Sequence, residues 1–156
     1  MFYAVLKTPI GHIGLQCEQD KLKSIDFLDS HIVPIPYAQL SKKVRLIAKN
    51  LEAFFSSPQD LSKLPLTVQG TPFQKKVWQA LRKIPLGETR TYGELARALN
   101  TAPRAIGMAC RANRLPIVIP CHRVVAANSL GGFCGHTEGN KIAIKQWLLA
   151  HERVIL

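Results

Sequence analysis

The order of apolar and polar residues divides the chain into a strand-rich first part and a helix-rich second part. Apolar runs over residues 3–7, 12–17 and 23–28, separated by turn-forming residues, predict three short antiparallel strands. Apolar positions then recur with a helical period from Gln39 to Phe55, which predicts a helix lying on this sheet. With a short candidate strand at residues 66–68, the pattern predicts a sheet-plus-helix domain over residues 1–68.

The second part contains helix starts that can satisfy the unpaired N–H groups of a first turn. Thr71 with Gln74, and Thr91 with Glu94, have the spacing of capping boxes. Pro103 suits the first turn of a further helix, because its missing N–H costs nothing there. The predicted helices cover residues 72–83, 91–99, 101–112 and 141–152, and the first has Phe73, Val77, Trp78 and Leu81 inward.

An apolar run, LPIVIPCHRVV, occupies residues 115–125 between the third and last of these helices. Its consecutive β-branched residues 117–119 predict a strand buried on both faces, and Pro116 and Pro120 would end it on either side. The run would deliver Cys121 to a fixed position.

Two short helices joined by a tight turn, in a basic region, predict a helix-turn-helix over residues 91–112. Ala105, Gly107 and Ala109 would let the backbone of its second helix approach another surface, and Arg104 and Arg111 at its ends suit phosphate contacts. Close packing of two helices is the alternative explanation for these small residues. The fold class is therefore α/β, with a mainly α domain over residues 69–156.

Charge is distributed unevenly along the chain. The formal net charge is +11; residues 1–60 hold seven Lys/Arg and six Asp/Glu, and residues 61–156 hold fourteen and four. The second part is thus the candidate for an anionic partner, of which nucleic acid is the commonest, although a basic surface that only aids solubility is an alternative. No apolar segment approaches the ~20 residues that cross a bilayer, and no secretory signal is present, so we expect a cytoplasmic protein without membrane contact.

Cys121 is the candidate nucleophile. A cysteine is most often a small buried apolar residue. Here, however, His122 supplies a base, and Arg123 supplies a positive charge that favours the reactive thiolate. The chain's four cysteines form no CxxC pair and no zinc-type spacing, so the sequence predicts neither a metal site nor a cofactor.

Glu152 is the candidate carboxylate. Ile144, Leu148 and Glu152 lie on one row of the last helix, so Glu152 continues an apolar, inward stripe. An inward carboxylate is costly unless it is paired, and His122 would be a suitable partner. The alternative is a frayed helix end with Glu152 in water.

Residues 119–125, IPCHRVV, resemble the active-site signature of the O6-alkylguanine-DNA alkyltransferases, also called methylated-DNA-protein-cysteine methyltransferases. The resemblance continues in GTPFQ at 70–74, GETRTYGELA at 87–96 and WLLAHE at 147–152. It implies a ribonuclease-H-like N-terminal domain and a winged-helix-like C-terminal domain. It also implies a repair protein that flips O6-alkylguanine out of duplex DNA and transfers the alkyl group irreversibly to its own cysteine.

The resemblance also implies a role for each candidate in the transfer. Cys121 would accept the alkyl group after His122, supported by Glu152, has taken its proton. Tyr92 would donate its hydroxyl proton toward the guanine. The alternative is that Tyr92 is only a partly buried aromatic residue at the start of a helix. Asn113 would tie the helix-turn-helix to the active-site loop, and a turn residue is the alternative.

Further residues would hold the flipped guanine and the duplex. By resemblance, Arg104 fills the gap that the flipped base leaves, and backbone carbonyls around Cys121 and Val124 select guanine. Phe133 and Cys134, on a Gly-rich loop over residues 128–135, would contact the flipped base; a merely flexible loop is the alternative. The residues expected at the DNA surface are Thr91, Tyr92, Arg104, Ala105, Gly107, Arg111 and Arg123.

The sequence therefore predicts a monomer that binds the minor groove of double-stranded DNA without regard to sequence. Two other classes of protein would explain some of these features. A Cys–His hydrolase would use Cys121 and His122 but would not need the basic helix pair. A DNA-binding regulator would use the helix pair but leave Cys121, His122 and Glu152 unexplained.

Overall fold

A computed structural model of the chain describes residues 4–28, 35–133 and 139–154. The chain divides into two compact units, Met1–Val68 and Gln69–Leu156. The mixed α/β class predicted from the sequence is confirmed. Within the described residues, no helix combines the length and apolarity needed to cross a membrane.

The first unit is built on a three-stranded antiparallel sheet in the order β1-β2-β3. Its strands are β1 (Ala4–Thr8), β2 (Gly11–Glu18) and β3 (Lys21–Leu28). The chain reverses between β2 and β3 at Gln19 and Asp20, whose φ angles of 52° and 62° fit a tight turn. One face of the sheet is apolar and buried, as period-2 alternation requires, and it includes Leu6, Ile13, Leu15 and Ile25. A register shift between Gln16 and Cys17 brings the buried Leu22, which pairs with Cys17, to the same face.

One helix, α1 (Lys42–Ser56), covers this sheet. It begins three residues later than the apolar period predicted, because the Ser41 side chain accepts the Val44 N–H and caps the helix there. Its buried face carries Val44, Ile47, Ala48, Leu51, Phe54 and Phe55. The strand predicted at residues 66–68 is reduced to a single parallel bridge between Leu66 and Leu22, after a proline that cannot donate to a ladder.

The second unit is mainly helical. Its helices are α2 (Pro72–Arg82), α3 (Tyr92–Ala98), α4 (Pro103–Arg111) and α5 (Asn140–His151). The capping boxes predicted at Thr71 and Thr91 are both confirmed. The α3 and α4 helices pack on each other, and the indole N–H of Trp78 in α2 donates to the Ala109 carbonyl of α4 at 2.8 Å. Phe73, predicted to be inward, is 38% exposed.

A short parallel pairing that the sequence did not predict joins α3 to the segment after Cys121. It pairs β4 (Arg90–Thr91) with β5 (Val124–Val125). Since Thr91 is also the N-cap of α3, this pairing fixes the start of α3 against the Cys121 segment.

The strand predicted at residues 117–119 is wrong, although every residue from Leu115 to Val125 is buried. The chain makes a turn instead, closed by a 2.8 Å hydrogen bond from the Ile119 N–H to the Leu115 carbonyl. Ile117 has a φ of +77°, which is costly for a β-branched residue and persists only where the surroundings impose it. A proline on either side leaves little backbone to pair in a sheet, so burial here does not imply a strand.

Candidate active site

Cys121 lies at the start of a single turn of 3-10 helix, Cys121–Arg123, and is 5% exposed. Its backbone N–H donates to the Ile119 carbonyl at 2.8 Å, and the Arg123 N–H donates to the Pro120 carbonyl at 3.0 Å. The backbone around the sulfur is therefore held by local hydrogen bonds rather than by a sheet.

The Asn113 side chain bridges the two ends of the turn that precedes Cys121. Its Oδ1 accepts the Leu115 N–H at 2.9 Å, and its Nδ2 donates to the Ile119 carbonyl at 2.9 Å. Asn113 follows the end of α4, so one amide couples that helix to the approach to Cys121. The turn function that the sequence suggested is thus present, and the coupling gives a physical basis for the predicted tie to the helix-turn-helix.

His122 and Glu152 form a buried pair. The His122 ring N–H at Nε2 donates to Glu152 Oε2 at 2.8 Å, and neither side chain is exposed to solvent. Glu152 caps the C-terminus of α5, and Ile144, Leu148 and Glu152 are all buried, as their spacing predicted. A frayed helix end with Glu152 in water is therefore excluded.

Arg123 is the second partner of Glu152. Its Nε donates to Oε1 at 2.8 Å, one Nη donates to Oε2 at 3.1 Å, and the other Nη donates to the Ile84 carbonyl at 2.8 Å. The side chain is only 11% exposed. The expectation that Arg123 binds DNA is therefore corrected, because its guanidinium is used inside the protein, where two parallel bonds to a carboxylate are strong.

These contacts set the charges of the pair. Burial alone would raise the pKa of Glu152, but the hydrogen bonds and charges of His122 and Arg123 outweigh it and lower that pKa to about 2. Burial lowers the pKa of His122, although Glu152 opposes the shift, so the ring is neutral at pH 7. An ionised carboxylate only accepts hydrogen bonds, so the ring proton lies on Nε2 and Nδ1 is left as a base.

The Nδ1 atom of His122 is buried and has no hydrogen-bond partner among the described residues. This nitrogen can therefore accept a proton or a hydrogen bond. Nucleophile, base and a carboxylate that orients the base are the parts of nucleophilic catalysis. Cys121 and His122 are adjacent in the chain, and a neutral imidazole with an unprotonated Nδ1 can act as a base.

Lys145 is a residue of this region that the sequence reasoning missed. It lies on α5 with 0% exposure, and its Nζ donates to the carbonyls of Val124 (2.7 Å), Leu130 (2.5 Å) and Gly132 (2.8 Å). Burial lowers the pKa of Lys145 to about 8, although the negative charge of a Cys121 thiolate opposes the shift. Such coupling is reciprocal, so the Lys145 ammonium favours the Cys121 thiolate. The sequence predicts this role for Arg123. One signal in the sequence indicates that Lys145 is inward. It precedes the inward Leu148 by three residues and the inward Leu149 by four, so it lies on the same face of the helix.

Tyr92 lies half-buried at the start of α3. Burial, with the nearby Cys110 and Cys121 charges, raises the pKa of Tyr92 to about 12, so its hydroxyl stays protonated at neutral pH and can donate. Gly131 packs closely on this ring: a Cβ there would lie 2.9 Å from the ring carbon Cε2, and its φ is +73°. Only glycine fits this position without moving Tyr92.

The structure describes some of the residues that the sequence predicts to hold a flipped guanine. Val124 is fully buried, and its carbonyl accepts from Lys145, which leaves a second lone pair for another donor. Phe133 is 3% exposed. Cys134 lies outside the described residues.

The residues predicted at a DNA surface lie along α4 and at the start of α3. Arg104 and Arg111 are exposed at the two ends of α4, and Ala105 and Gly107 between them are half-buried. The Thr91 hydroxyl accepts the Glu94 N–H at 3.0 Å and so serves as the helix cap. Within the part of the chain that the structure describes, no three His, Cys, Asp or Glu side chains are grouped to hold a metal ion.

The chain is similar to a family of known proteins over most of its length. Residues 72–154 match the family described as 6-O-methylguanine DNA methyltransferase, DNA binding domain. A methylated-DNA-protein-cysteine methyltransferase of Methanosarcina acetivorans is 39% identical, over 97% of this chain and 98% of that protein. The constitutive enzyme of that name from Bacillus subtilis is 36% identical, over 98% and 96%.

Solved structures give the same result. An O6-methylguanine methyltransferase from Mycobacterium tuberculosis superposes with a TM-score of 0.82 at 33% identity, covering 97% of this chain and 92% of that one. That organism's OGT in complex with DNA superposes with a TM-score of 0.80 at 33% identity, covering 98% and 93%.

Replacing Asn113 tests how the turn before Cys121 is held. We expect Asn113→Ala to lower the free energy of unfolding by about 2–4 kcal/mol, because the Leu115 N–H and the Ile119 carbonyl both lose their partner. Denaturant unfolding measures the change. Asn50→Ala is the control, since the Asn50 amide donates to the Leu46 carbonyl in an exposed hydrogen bond within α1. Equal losses in the two variants would show that Asn113 has no special role.

Acid unfolding tests the buried carboxylate. In the folded state the pKa of Glu152 is about 2, so the carboxylate stays ionised until the pH approaches that value. In the unfolded chain a glutamate takes up a proton near its ordinary pKa of 4.5. Stability from this group is therefore present above about pH 5 and lost as the pH falls toward 2, a loss on the order of 3 kcal/mol.

Glu152→Gln should remove that part of the acid slope in unfolding measured between pH 7 and pH 2. The matched change is Glu88→Gln, at a surface carboxylate 3.2 Å from Arg90, and it should leave the slope unchanged. A Glu152→Gln protein with the wild-type slope would contradict the assignment.

Proposed function

The chain belongs to the family of O6-methylguanine DNA methyltransferases, and on that premise we propose that it repairs DNA by moving an alkyl group from guanine O6 to its own Cys121. One observation carries the assignment of the residues. His122, next in the chain to the cysteine, donates from Nε2 to the buried Glu152 carboxylate, and its Nδ1 has no hydrogen-bond partner among the residues that the structure describes.

The reaction begins with the thiol proton. His122 Nδ1 takes it from Cys121, through one water if the two side chains point apart, and Glu152 stabilises the imidazolium that forms. Lys145 stabilises the thiolate that remains. A thiol needs this help, because its ordinary pKa of ~8.5 leaves little thiolate at neutral pH.

The thiolate then attacks the alkyl carbon. A sulfur–carbon bond forms as the bond from that carbon to O6 breaks, and its electron pair goes to the guanine. Tyr92 donates a hydrogen bond to the base, which reduces the charge that develops there, and the proton taken from the thiol returns to the guanine as it leaves. The product is a thioether at Cys121 and an unmodified guanine.

The transfer should happen once per protein molecule. A thioether is a poor leaving group, and the proposed chemistry offers no second acceptor for the alkyl group. The protein is thus a single-turnover methyltransferase that is consumed by its reaction and that uses no cofactor.

The partner we propose is double-stranded DNA carrying O6-alkylguanine. A base inside a duplex is out of reach of Cys121, so it must be extruded at a cost of about a few kcal/mol, and Arg104 would occupy the vacated space. Val124, Phe133 and Cys134 would then hold the flipped base. Thr91, Tyr92, Ala105, Gly107 and Arg111 would face the duplex.

The finer assignments follow the same premise. The small-residue helix α4 would enter the minor groove, which it reads by shape and charge rather than by sequence. We propose a ribonuclease-H-like first unit, a winged-helix-like second unit, and a monomer that acts in the cytoplasm. The charge supports the placement of DNA on the second unit, because residues 61–156 hold fourteen Lys/Arg and four Asp/Glu.

Labelled substrate tests the reaction itself. A duplex with O6-methylguanine labelled in its methyl group should transfer one equivalent of label to the protein, and mass spectrometry should find it on Cys121. Cys121→Ser should abolish the transfer. Cys110→Ser is the matched control, because burial raises the pKa of the Cys110 thiol to about 12 and leaves it unreactive. Repeated turnover with label released to solvent would indicate a hydrolase, and DNA binding without transfer would indicate a regulator.

Salt dependence tests the DNA surface. Binding to an undamaged duplex should weaken steeply with added salt, and Arg111→Gln should reduce the log–log slope by about one, the contribution of one phosphate contact. Lys49→Gln, on the exposed face of α1 in the first unit, should not change the slope. A flat salt dependence in the wild type would contradict the proposed surface.

A further inference from the structure

Arg123 is a buried cation to which the proposed steps of the transfer assign no part. Its side chain is 11% exposed, and three of its nitrogens donate hydrogen bonds inside the second unit. Two of these bonds reach the Glu152 carboxylate, and the third reaches the Ile84 carbonyl at 2.8 Å. The guanidinium therefore connects the segment after α2 with the carboxylate that bonds His122.

These bonds fix the orientation of the carboxylate. A guanidinium binds a carboxylate through a planar fork, which here joins Nε to Glu152 Oε1 at 2.8 Å and one Nη to Oε2 at 3.1 Å. Oε2 also accepts the His122 Nε2–H at 2.8 Å. Because the Ile84 carbonyl holds the guanidinium from another segment, the carboxylate cannot turn away from the ring without breaking its bonds to Arg123.

The charges of the three side chains favour a neutral ring. Neither His122 nor Glu152 has any side-chain surface in contact with solvent. Glu152 and Arg123 together carry no net charge, so protonation of His122 would add an uncompensated positive charge to a buried site. Without Arg123 the carboxylate would be the uncompensated charge, and a protonated ring would neutralise it. An arginine does not lose its proton in proteins, so its effect persists across the working pH range.

The groups that act on the ring agree with this count of charges. Burial is the largest cause that lowers the pKa of His122. The Glu152 carboxylate at the end of α5 opposes that shift. The positive charges of Arg123, in the same turn as the ring, and of Lys145, in α5, lower the pKa again.

The other titratable side chains of the site do not replace Arg123. The Lys145 ammonium donates to three backbone carbonyls rather than to the carboxylate. Burial raises the pKa of Tyr92 in α3 and of Cys110 in α4 to about 12, so both are uncharged at pH 7. Cys121, which precedes the ring in the chain, is the proton donor of the proposed transfer. Arg123 is thus the cation that both bonds the carboxylate and offsets its charge.

We propose that Arg123 is a positioning residue for the alkyl transfer, which acts through Glu152 to keep His122 neutral and able to take the thiol proton. This inference rests on the proposed function, since it takes His122 as the base of that reaction. A carboxylate without Arg123 would hold an imidazolium tightly. Such a ring could neither accept the proton of Cys121 nor release a proton to the departing guanine.

The test compares Arg123→Met, which removes the charge, with Arg123→Lys, which keeps it. Nitrogen-15 NMR follows the ionisation of the His122 ring as the pH is changed and needs no substrate. In Arg123→Met the ring should take up its proton at a higher pH than in the wild type. Arg123→Lys should stay closer to the wild type, because its charge still offsets the carboxylate.

The pH profile of methyl transfer from an O6-methylguanine duplex is the second readout. The acid limb of the rate should move to higher pH in Arg123→Met, since a protonated His122 cannot act as a base. The rate of this variant should approach the wild-type rate as the pH rises and the ring loses its proton. Arg123→Lys should restore the position of the acid limb.

A second variant separates the loss of charge from a loosened site, because an imidazole exposed to water would also be protonated more readily. Combining Arg123→Met with Glu152→Gln removes both charges, an exchange that buried ion pairs often tolerate. The ring should again stay neutral in this double variant, as in the wild type. In a loosened site it would still take up its proton at the higher pH.

Arg45→Met is the matched control. Arg45 lies on α1 of the first unit, where its guanidinium donates to the Tyr37 and Ala38 carbonyls. The same substitution there should leave the ionisation of His122 and the rate of transfer unchanged. Thermal unfolding of every variant checks that the fold is retained. If Arg123→Met does not fold, Arg123→Gln takes its place with the same expected shift, because its amide can still donate one hydrogen bond to the carboxylate.

Three results would overturn the inference. The first is a His122 ring that ionises in Arg123→Met at the same pH as in the wild type. The second is a transfer rate lowered equally at every pH, since the arginine would then only support the fold. The third is a double variant whose ring still takes up its proton at the higher pH. A wild type that transfers no methyl group would instead reject the proposed function, and the NMR data would still decide the role of Arg123.

Discussion

The second unit depends on one buried carboxylate. Glu152 receives a hydrogen bond from His122 and two from Arg123, and the same guanidinium donates to the Ile84 carbonyl. A buried charge without such partners would cost several kcal/mol. The hydrogen bonds among Glu152, His122 and Arg123 must therefore form together when the unit folds. The network connects the end of α5, the turn that carries Cys121 and the segment after α2. It also determines which nitrogen of His122 is free to act as a base.

The reactive segment is held by side chains that bond to backbone groups, because it has almost no secondary structure of its own. Asn113 satisfies an N–H and a carbonyl of the turn before Cys121, and Lys145 gathers the carbonyls of Val124, Leu130 and Gly132. Buried backbone polar groups need partners, and irregular backbone finds them in side chains. This arrangement explains how Ile117 keeps a left-handed conformation beside the nucleophile. Backbone strain of this kind is commonly found near functional sites.

Sequence reasoning succeeded where a signal is local. The capping boxes at Thr71 and Thr91, and the inward row that ends at Glu152, follow from spacings along a single helix. It failed where the outcome depends on distant partners. The β-branched run at 117–119 is as buried as a central strand, but Asn113 and the flanking prolines impose a turn. The β4–β5 pairing joins residues more than thirty positions apart, and no pattern in either short segment marks it.

Charged residues show the same limit. The sequence predicts Arg123 at a DNA surface and gives Lys145 no role, because a basic side chain is seldom buried. Each becomes interpretable only once its acceptors are known. They are the carboxylate at the end of α5 for Arg123, and for Lys145 the carbonyls of Val124 in β5 and of Leu130 and Gly132 after it. The sequence therefore predicted that His122 and Glu152 pair beside Cys121, but it did not predict the two buried cations, Arg123 and Lys145, that bond to this region.

On the proposed mechanism, burial keeps His122 neutral and the Glu152 carboxylate keeps the ring proton on Nε2, so that Nδ1 can accept the proton of Cys121. Nitrogen-15 NMR of the imidazole groups at pH 7 measures this directly, with His122→Gln used to assign the signals among the five histidines. We expect a protonated Nε2 and an unprotonated Nδ1 on His122. An imidazolium, or a ring with its proton on Nδ1, would contradict the claim.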